Sequence, residues 1–200
     1  MADLIFATGN PHKLREMQTL LAPLGVTLRL PGDWGPFDPA ETGDTFYENA
    51  RIKAAEALRL TGRPALADDS GLAVDALGGA PGVRSARYGG EGLSANERNA
   101  LLLGAMADAD RRAARFVCAL VCLFPDGREL YAQGICEGEI ARSPQGESGF
   151  GYDPVFLLPQ RGRTMAQLSE AEKNQISHRG RAVSAFLRLW KEANRETFDK

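Results

Sequence analysis

This chain is short of the features that announce several classes of protein. It has three cysteines, Cys118, Cys122 and Cys136, each inside an apolar segment, with no CxxC and no Cys/His grouping. They therefore read as core thiols of a reducing compartment rather than as metal ligands. Its longest apolar run, Phe116 to Phe124, falls far short of the roughly 20 residues that a membrane-spanning helix needs. Excess positive charge is also missing: 24 Lys+Arg against 26 Asp+Glu give a net charge of −2. Binding to nucleic acid through a broad basic surface is not expected, although a local cluster could hold a small anion. The opening MADLIFATGN lacks the basic and long apolar regions of a secretory signal, so a cytoplasmic location is expected. No repeat, low-complexity tract or linker divides the chain, which predicts one domain over residues 1–200.

What is present suits a globular core. The 44% apolar and 25% charged shares are ordinary, and 200 residues can bury a sizeable interior. Leu4 to Ala7 predicts a buried strand, broken by Thr8-Gly9-Asn10-Pro11. Asn10 as N-cap, Pro11 at the first helical position and Leu14, Met17, Leu20, Leu21 and Leu24 at helical spacing predict a helix that ends at Gly25. Lys13 lies in the first turn of that helix, where a cation opposes the macrodipole. A phosphate held by Lys13 and the first-turn N–H groups would remove the conflict, and an ordinary exposed lysine is the plain alternative.

Val26 to Leu30 predicts a second strand, followed by a long Pro/Gly/Asp loop, Pro31 to Gly43, that carries Glu41. Thr45 and Glu48 form a capping box for a helix ended by Gly62, with Asn49, Lys53 and Glu56 along one side. Further capping boxes begin at Ser94 and Ser169. Arg115 to Phe124, apolar on both faces, predicts a central strand, and Pro125-Asp126-Gly127 predicts a hairpin into Glu129 to Ile140, so the sheet should be mixed. A glycine-punctuated loop, Gly146 to Pro154, then carries Phe150 and Asp153, and Lys173 to Arg181 gathers polar donors.

The centre of the pattern is ALADDSGLAV, residues 65–74, in which two apolar segments, expected to be short strands, flank Asp68, Asp69, Ser70 and Gly71. Adjacent carboxylates at the end of something buried need a cation, a proton or several donors, which points to metal or proton chemistry. The same four residues also suit a solvated turn.

Taken together, a donor-rich TGNPHK turn, an acidic DDSG and an aromatic and basic set in SGFGYDP and SHR describe a nucleoside triphosphate site. Ala7-Thr8-Gly9-Asn10 with Lys13, Glu41-Thr42-Gly43 with Thr45-Phe46 and Glu48-Asn49-Ala50, Ala67 to Leu72 with Gly78 to Gly82, Ser85-Ala86-Arg87-Tyr88, Gly149 to Pro154, and Ser177-His178-Arg179 occur in that order. In these segments the chain resembles the inosine triphosphate pyrophosphatases, also described as XTP/dITP diphosphatases. It departs from them in carrying Ala40 before Glu41, where the family often has a second acid.

The resemblance implies an α/β fold with an elongated central mixed β-sheet flanked by helices, in two lobes with an active-site cleft between them. It also implies a homodimer that uses Mg²⁺ to hydrolyse ITP, dITP or XTP to the monophosphate and pyrophosphate. Glu41, Asp69 and Asp68 would then face the metal, with Asp69 also the catalytic base. Thr8, Gly9, Asn10, Lys13, Lys53 and Ser70 would bind the triphosphate. Phe150, Gly151, Tyr152, Asp153, Lys173, His178 and Arg179 would surround the purine, with Phe150 stacking and Lys173, His178 and Arg179 donating to a 6-oxo group. A non-catalytic nucleotide sensor and a pyrophosphatase for other modified nucleotides are the competing readings.

Overall fold

The computed structural model describes residues 3–198, with side chains as far as residue 193. The chain forms a seven-stranded sheet in the order β2-β1-β3-β4-β5-β6-β7. The strands are β1 (Asp3–Phe6), β2 (Thr27–Arg29), β3 (Ala65–Val74), β4 (Ala113–Leu123), β5 (Glu129–Ile140), β6 (Phe156–Leu158) and β7 (Arg163–Thr164). The helices are α1 (Pro11–Leu21), α2 (Phe46–Thr61), α3 (Ala95–Ala105), α4 (Glu170–Ile176) and α5 (His178–Phe198). β1 pairs in parallel with β2 and β3, whereas β6 pairs antiparallel with β5 and β7, so the sheet is mixed as expected. No helix among the described residues is long and apolar enough to cross a membrane.

Packing divides the chain into two compact units. One holds the described residues of Met1–Asp69, Cys118–Gly134 and Arg179–Lys200, the other Ser70–Val117 and Ile135–His178. In the first unit the period-two alternation of strands sorts the core into two layers. Leu4, Phe6, Leu66, Cys118, Leu120 and Cys122 pack with Met17 and Leu21 of α1 and with Ala182, Val183 and Phe186 of α5. Ile5, Ala7, Ala65, Ala67, Ala119, Val121 and Leu123 pack with Ala50, Ala54 and Ala57 of α2. The second unit has its own core, in which Leu72, Val74, Phe116, Ile140 and Phe156 meet Leu102 and Met106 near α3.

The capping signals act as expected. The Asn10 side chain accepts from the first turn of α1, and Thr45, Ser94 and Ser169 each form a reciprocal capping box with the Glu three residues on. One expectation is corrected. The two short strands predicted around the acids are a single strand, β3, and Asp68 and Asp69 lie in its interior with their residues buried. This excludes the solvated-turn reading, because hydrogen bonding to sheet neighbours carries the backbone straight through the polar residues.

All three cysteines are buried and none forms a disulfide. Burial pushes the Cys118 thiol up to about 12, with Asp68 adding to the rise, and pushes Cys122 higher still. Because the thiolate is the nucleophile, a thiol that burial holds neutral reacts slowly. Iodoacetamide at pH 8 is therefore expected to leave the folded protein unmodified and to add three groups in urea, as mass spectrometry would read. Rapid labelling of the native chain would contradict this burial.

Candidate active site

Functional side chains gather at one place in each unit. In the first unit the alternation of β3 sends neighbouring acids to opposite faces. Asp68 shares the face of Leu66, towards α1 and α5, and Asp69 shares that of Ala65 and Ala67, towards α2.

Asp68 is 1% exposed, and its Oδ2 accepts from Lys13 Nζ at 3.0 Å and from Arg179 Nη2 at 3.0 Å. The other arm of the Arg179 guanidinium, Nη1, donates to Glu16 of α1. Burial alone would raise the Asp68 carboxyl, but Lys13, Arg179 and Lys53 outweigh it and hold the group far below the usual carboxylate range. Arg179 is 1% exposed and is charged for the same reason: its burial is opposed by the charges of Asp68 and Glu16.

On the other face, Lys53 Nζ of α2 donates to Asp69 Oδ1 at 3.2 Å and to Glu41 Oε1 at 2.7 Å. Asp69 Oδ2 is buried and has no hydrogen-bond partner among the described residues. Burial pushes the Asp69 carboxyl above its ordinary value, the nearby Lys53 and Lys13 pull it back, and the net direction is upward. Burial works against the Lys53 ammonium, yet Asp69, Asp68 and Glu41 outweigh it and strengthen its hold on the proton. Glu41 comes to this face on a loop that Asn49 grips. The Asn49 amide, fully buried on α2, accepts from Gly43 N at 2.8 Å and donates to Gly43 O at 3.3 Å. A Cβ at Gly43 would sit 2.5 Å from Glu48 Cβ, which is why the loop needs glycine there.

Among the described residues no group of three His, Cys, Asp or Glu side chains is placed to hold an ion. Glu41 and Asp69 share Lys53, while Asp68, on the opposite face, shares Arg179 with Glu16. The first turn of α1 also departs from expectation. Asn10 Oδ1 takes His12 N at 2.9 Å and Lys13 N at 3.3 Å, and Thr8 Oγ1 takes Asn10 N at 3.1 Å. The cap thus uses N–H groups that were expected to hold an anion, and it is Asp68 that neutralises Lys13. Gly9 stands clear, since a Cβ there would meet nothing within 4 Å. Ser70, next along β3, is half-buried.

In the second unit the loop from Gly149 to Asp153 is wound around one carboxylate. Asp153 Oδ2 accepts from Phe150 N at 2.8 Å and from Lys173 Nζ of α4 at 2.7 Å. That ammonium also stands 4.7 Å from the Phe150 ring centroid, a cation–π contact. Gly149 has φ 78°, and a Cβ there would collide with the Asp153 carboxylate. Lys173 is aimed by the Ser169–Glu172 box, and Glu172, pushed down to about 2 by the Ser169 N–H and by Arg163, stays ionised as the cap. From α3, the buried Asn99 donates its Nδ2 to Gly151 O at 3.1 Å.

Two residues expected at the base contribute differently. Tyr152 is buried in the core with its hydroxyl donating to Ser85 O at 2.9 Å, so its side chain packs. Arg179 belongs to the first unit, where its Nη1 donates to Glu16 and its Nη2 to Asp68. His178 lies face to face with Phe116, centroids 4.8 Å apart. Sequence reasoning missed Glu16, Asn99 and the grip of Asn49. Glu16 carried a usable signal, being one helical turn beyond Lys13 on α1. A buried asparagine on a helix has none.

The chain matches the Ham1 family over residues 4–189 and belongs to it. It is 49% identical over 191 residues to the dITP/XTP pyrophosphatase of Synechocystis, covering 95% of this chain and 96% of that one. It is 50% identical over 191 residues to the enzyme of the same name from Thermus thermophilus, covering 94% and 92%. Among solved structures, a HAM1 protein from Coxiella burnetii superposes with a TM-score of 0.89 at 44% identity, covering 96% of this chain and 100% of the other. The Ham1 protein of Staphylococcus aureus gives 0.87 at 38% identity, covering 96% and 99%.

The Arg179 pairing has a direct test. Arg179→Met keeps the length of the side chain but leaves Asp68 and Glu16 without the charge that both accept from. It is expected to destabilise the fold by about 3–5 kcal/mol, the usual cost of breaking a buried pair on one side. Urea titration would show this as a lowered midpoint at similar slope. A midpoint within experimental error of the parent would refute the pairing.

Proposed function

We propose that the chain is a nucleoside triphosphate pyrophosphohydrolase that converts dITP, XTP and ITP to the monophosphate and pyrophosphate, and so clears non-standard purines from the nucleotide pool. The carrying observation is Asp69: a buried carboxylate with a raised affinity for protons, one oxygen on Lys53 and the other without a partner among the described residues. Asp68 also keeps one buried oxygen that takes no hydrogen bond among the described residues, but its two cations hold it ionised, whereas Asp69 joins an open oxygen to a raised affinity for protons, as a general base must. The names of the relatives supply the substrate class.

In this reading Asp69 Oδ2 takes a proton from a water as its oxygen bonds to the α-phosphorus and the bond to the bridging oxygen breaks, which releases pyrophosphate. Lys53 and Lys13 offset the charge on the triphosphate, and Thr8, Gly9, Asn10 and Ser70 are assigned to its oxygens. In the second unit Phe150 stacks on the purine, while Lys173 and His178 donate towards the 6-oxo group. Asp153 and Gly151 shape the loop that holds Phe150. ATP presents an amino group where the 6-oxo group would be, so buried donors are left unpaired and the site discriminates against it.

A divalent cation fits the residues present. Glu41 and Asp69 offer carboxylate oxygens alone, the donor type that Mg²⁺ prefers, and Lys53 already bridges them as a monovalent charge. When bound, Mg²⁺ would lower the pKa of a coordinated water and neutralise phosphate charge. The same reading makes the enzyme a cytoplasmic homodimer, which sedimentation of the purified protein would check.

Pyrophosphate release across ITP, dITP, XTP, GTP and ATP, with and without Mg²⁺, tests the proposal. Release from the first three and little from ATP is expected. Orthophosphate as the sole product would place the attack at the γ-phosphorus and end this mechanism. Asp69→Asn keeps the shape and removes the base, so kcat is expected to fall about 10²- to 10⁴-fold while circular dichroism keeps the folded spectrum.

A further inference from the structure

The strongest unassigned feature of the second unit is Asn99. It is 2% exposed on α3, far in sequence from the loop it touches, and its amide is only half used. Nδ2 donates to Gly151 O at 3.1 Å, while Oδ1 is buried and has no partner among the described residues. Leaving a buried amide oxygen without a donor costs about 1–3 kcal/mol, so the side chain is a poor choice for stability alone. Asn49 provides the contrast. From α2 it grips Gly43 with both ends of its amide and leaves neither end open.

Gly151 is the turning point of the loop, with φ 63°, and it adjoins Phe150. Phe150 is also held by its N–H on Asp153 and by its ring under Lys173, both from the C-terminal side of the loop. Asn99 adds the one grip from α3, at the carbonyl directly after Phe150. We propose that Asn99 is a positioning residue for base recognition: through Gly151 O it fixes the turn that orients the Phe150 ring. This rests on the reading of Phe150 as the stacking face, and it adds a residue of α3 that touches no substrate. The grip is donor-only, which explains why the orphaned oxygen is kept.

A double-mutant cycle tests it, using the full-length enzyme, ITP and Mg²⁺. Asn99→Leu keeps the branched heavy-atom shape at a larger volume and removes both the donor and the orphaned oxygen. It should raise KM for ITP about tenfold with kcat changed by less than about threefold, because what is lost is placement of the binding face. Phe150→Ala should raise KM by itself. In the double variant Asn99→Leu should add less than about a twofold further rise, since its effect passes through the ring. Multiplicative effects, or a KM equal to that of the parent, overturn the proposal. If Asn99→Leu melts far below the parent, Asn99→Ala, which removes the donor without adding bulk, takes its place in the same cycle and is read in the same way. A parent enzyme that releases no pyrophosphate from ITP refutes the functional reading itself, an outcome separate from multiplicative effects in an active one.

Discussion

Two carboxylates that adjoin in sequence cannot share a face of a β-strand, and the first unit is arranged around that fact. Once β3 runs unbroken through Asp68 and Asp69, one acid must enter the layer of α1 and α5 and the other the layer of α2. Each layer has to supply its own cations. Lys13 and Arg179 meet Asp68, and Lys53 meets Asp69. The strand thereby separates the two roles that adjacent acids would otherwise confuse. One has two cations, Lys13 and Arg179, on a single oxygen and stays ionised, while the other has Lys53 alone and its affinity for protons is raised.

The energetic character of the two pairs differs accordingly. A guanidinium clasped by Glu16 and Asp68 satisfies most of what burial removes, and such a pair costs more to break than it contributes by being made. It serves to hold α1 and α5 to β3 in one register, with Lys13 brought along by the same carboxylate. Lys53, Glu41 and Asp69 are instead an excess of negative charge on one ammonium, a set that gains from a second cation. Repulsion between the acids and desolvation of Asp69 both relax when positive charge arrives.

How far this was legible in sequence depended on whether a signal was local. The N-cap of Asn10, the capping boxes at Thr45, Ser94 and Ser169 and the mixed sheet could be read because each is a short-range pattern. DDSG reads in sequence as a break between strands, since four polar or small residues look like a turn until tertiary partners for the acids are known. Lys13 is conspicuous in sequence as a cation at the wrong end of a helix, and the partner that the fold gives it is a carboxylate fifty-five residues on. Arg179 and Tyr152 lie in segments that carry the family resemblance, yet their side chains are spent on an ion pair and on the core. Motif membership marks a residue as constrained without saying by what.

The small residues of α2 complete the argument. Ala50, Ala54 and Ala57 share one layer of the core with Ala65, Ala67 and Ala119, beside the larger Ile5, Val121 and Leu123. Interhelical and helix–sheet distances follow the side chains at the contact, so alanine against alanine brings the helix axis close to β3. A lysine on that helix can then place its ammonium against a carboxylate inside the strand while remaining 8% exposed. Leucines at the same positions would fill the layer just as hydrophobically but move Lys53 away from Asp69. The alanine face is thus part of the site: its smallness, rather than its hydrophobicity, sets the distance over which the acid and the ammonium act on each other.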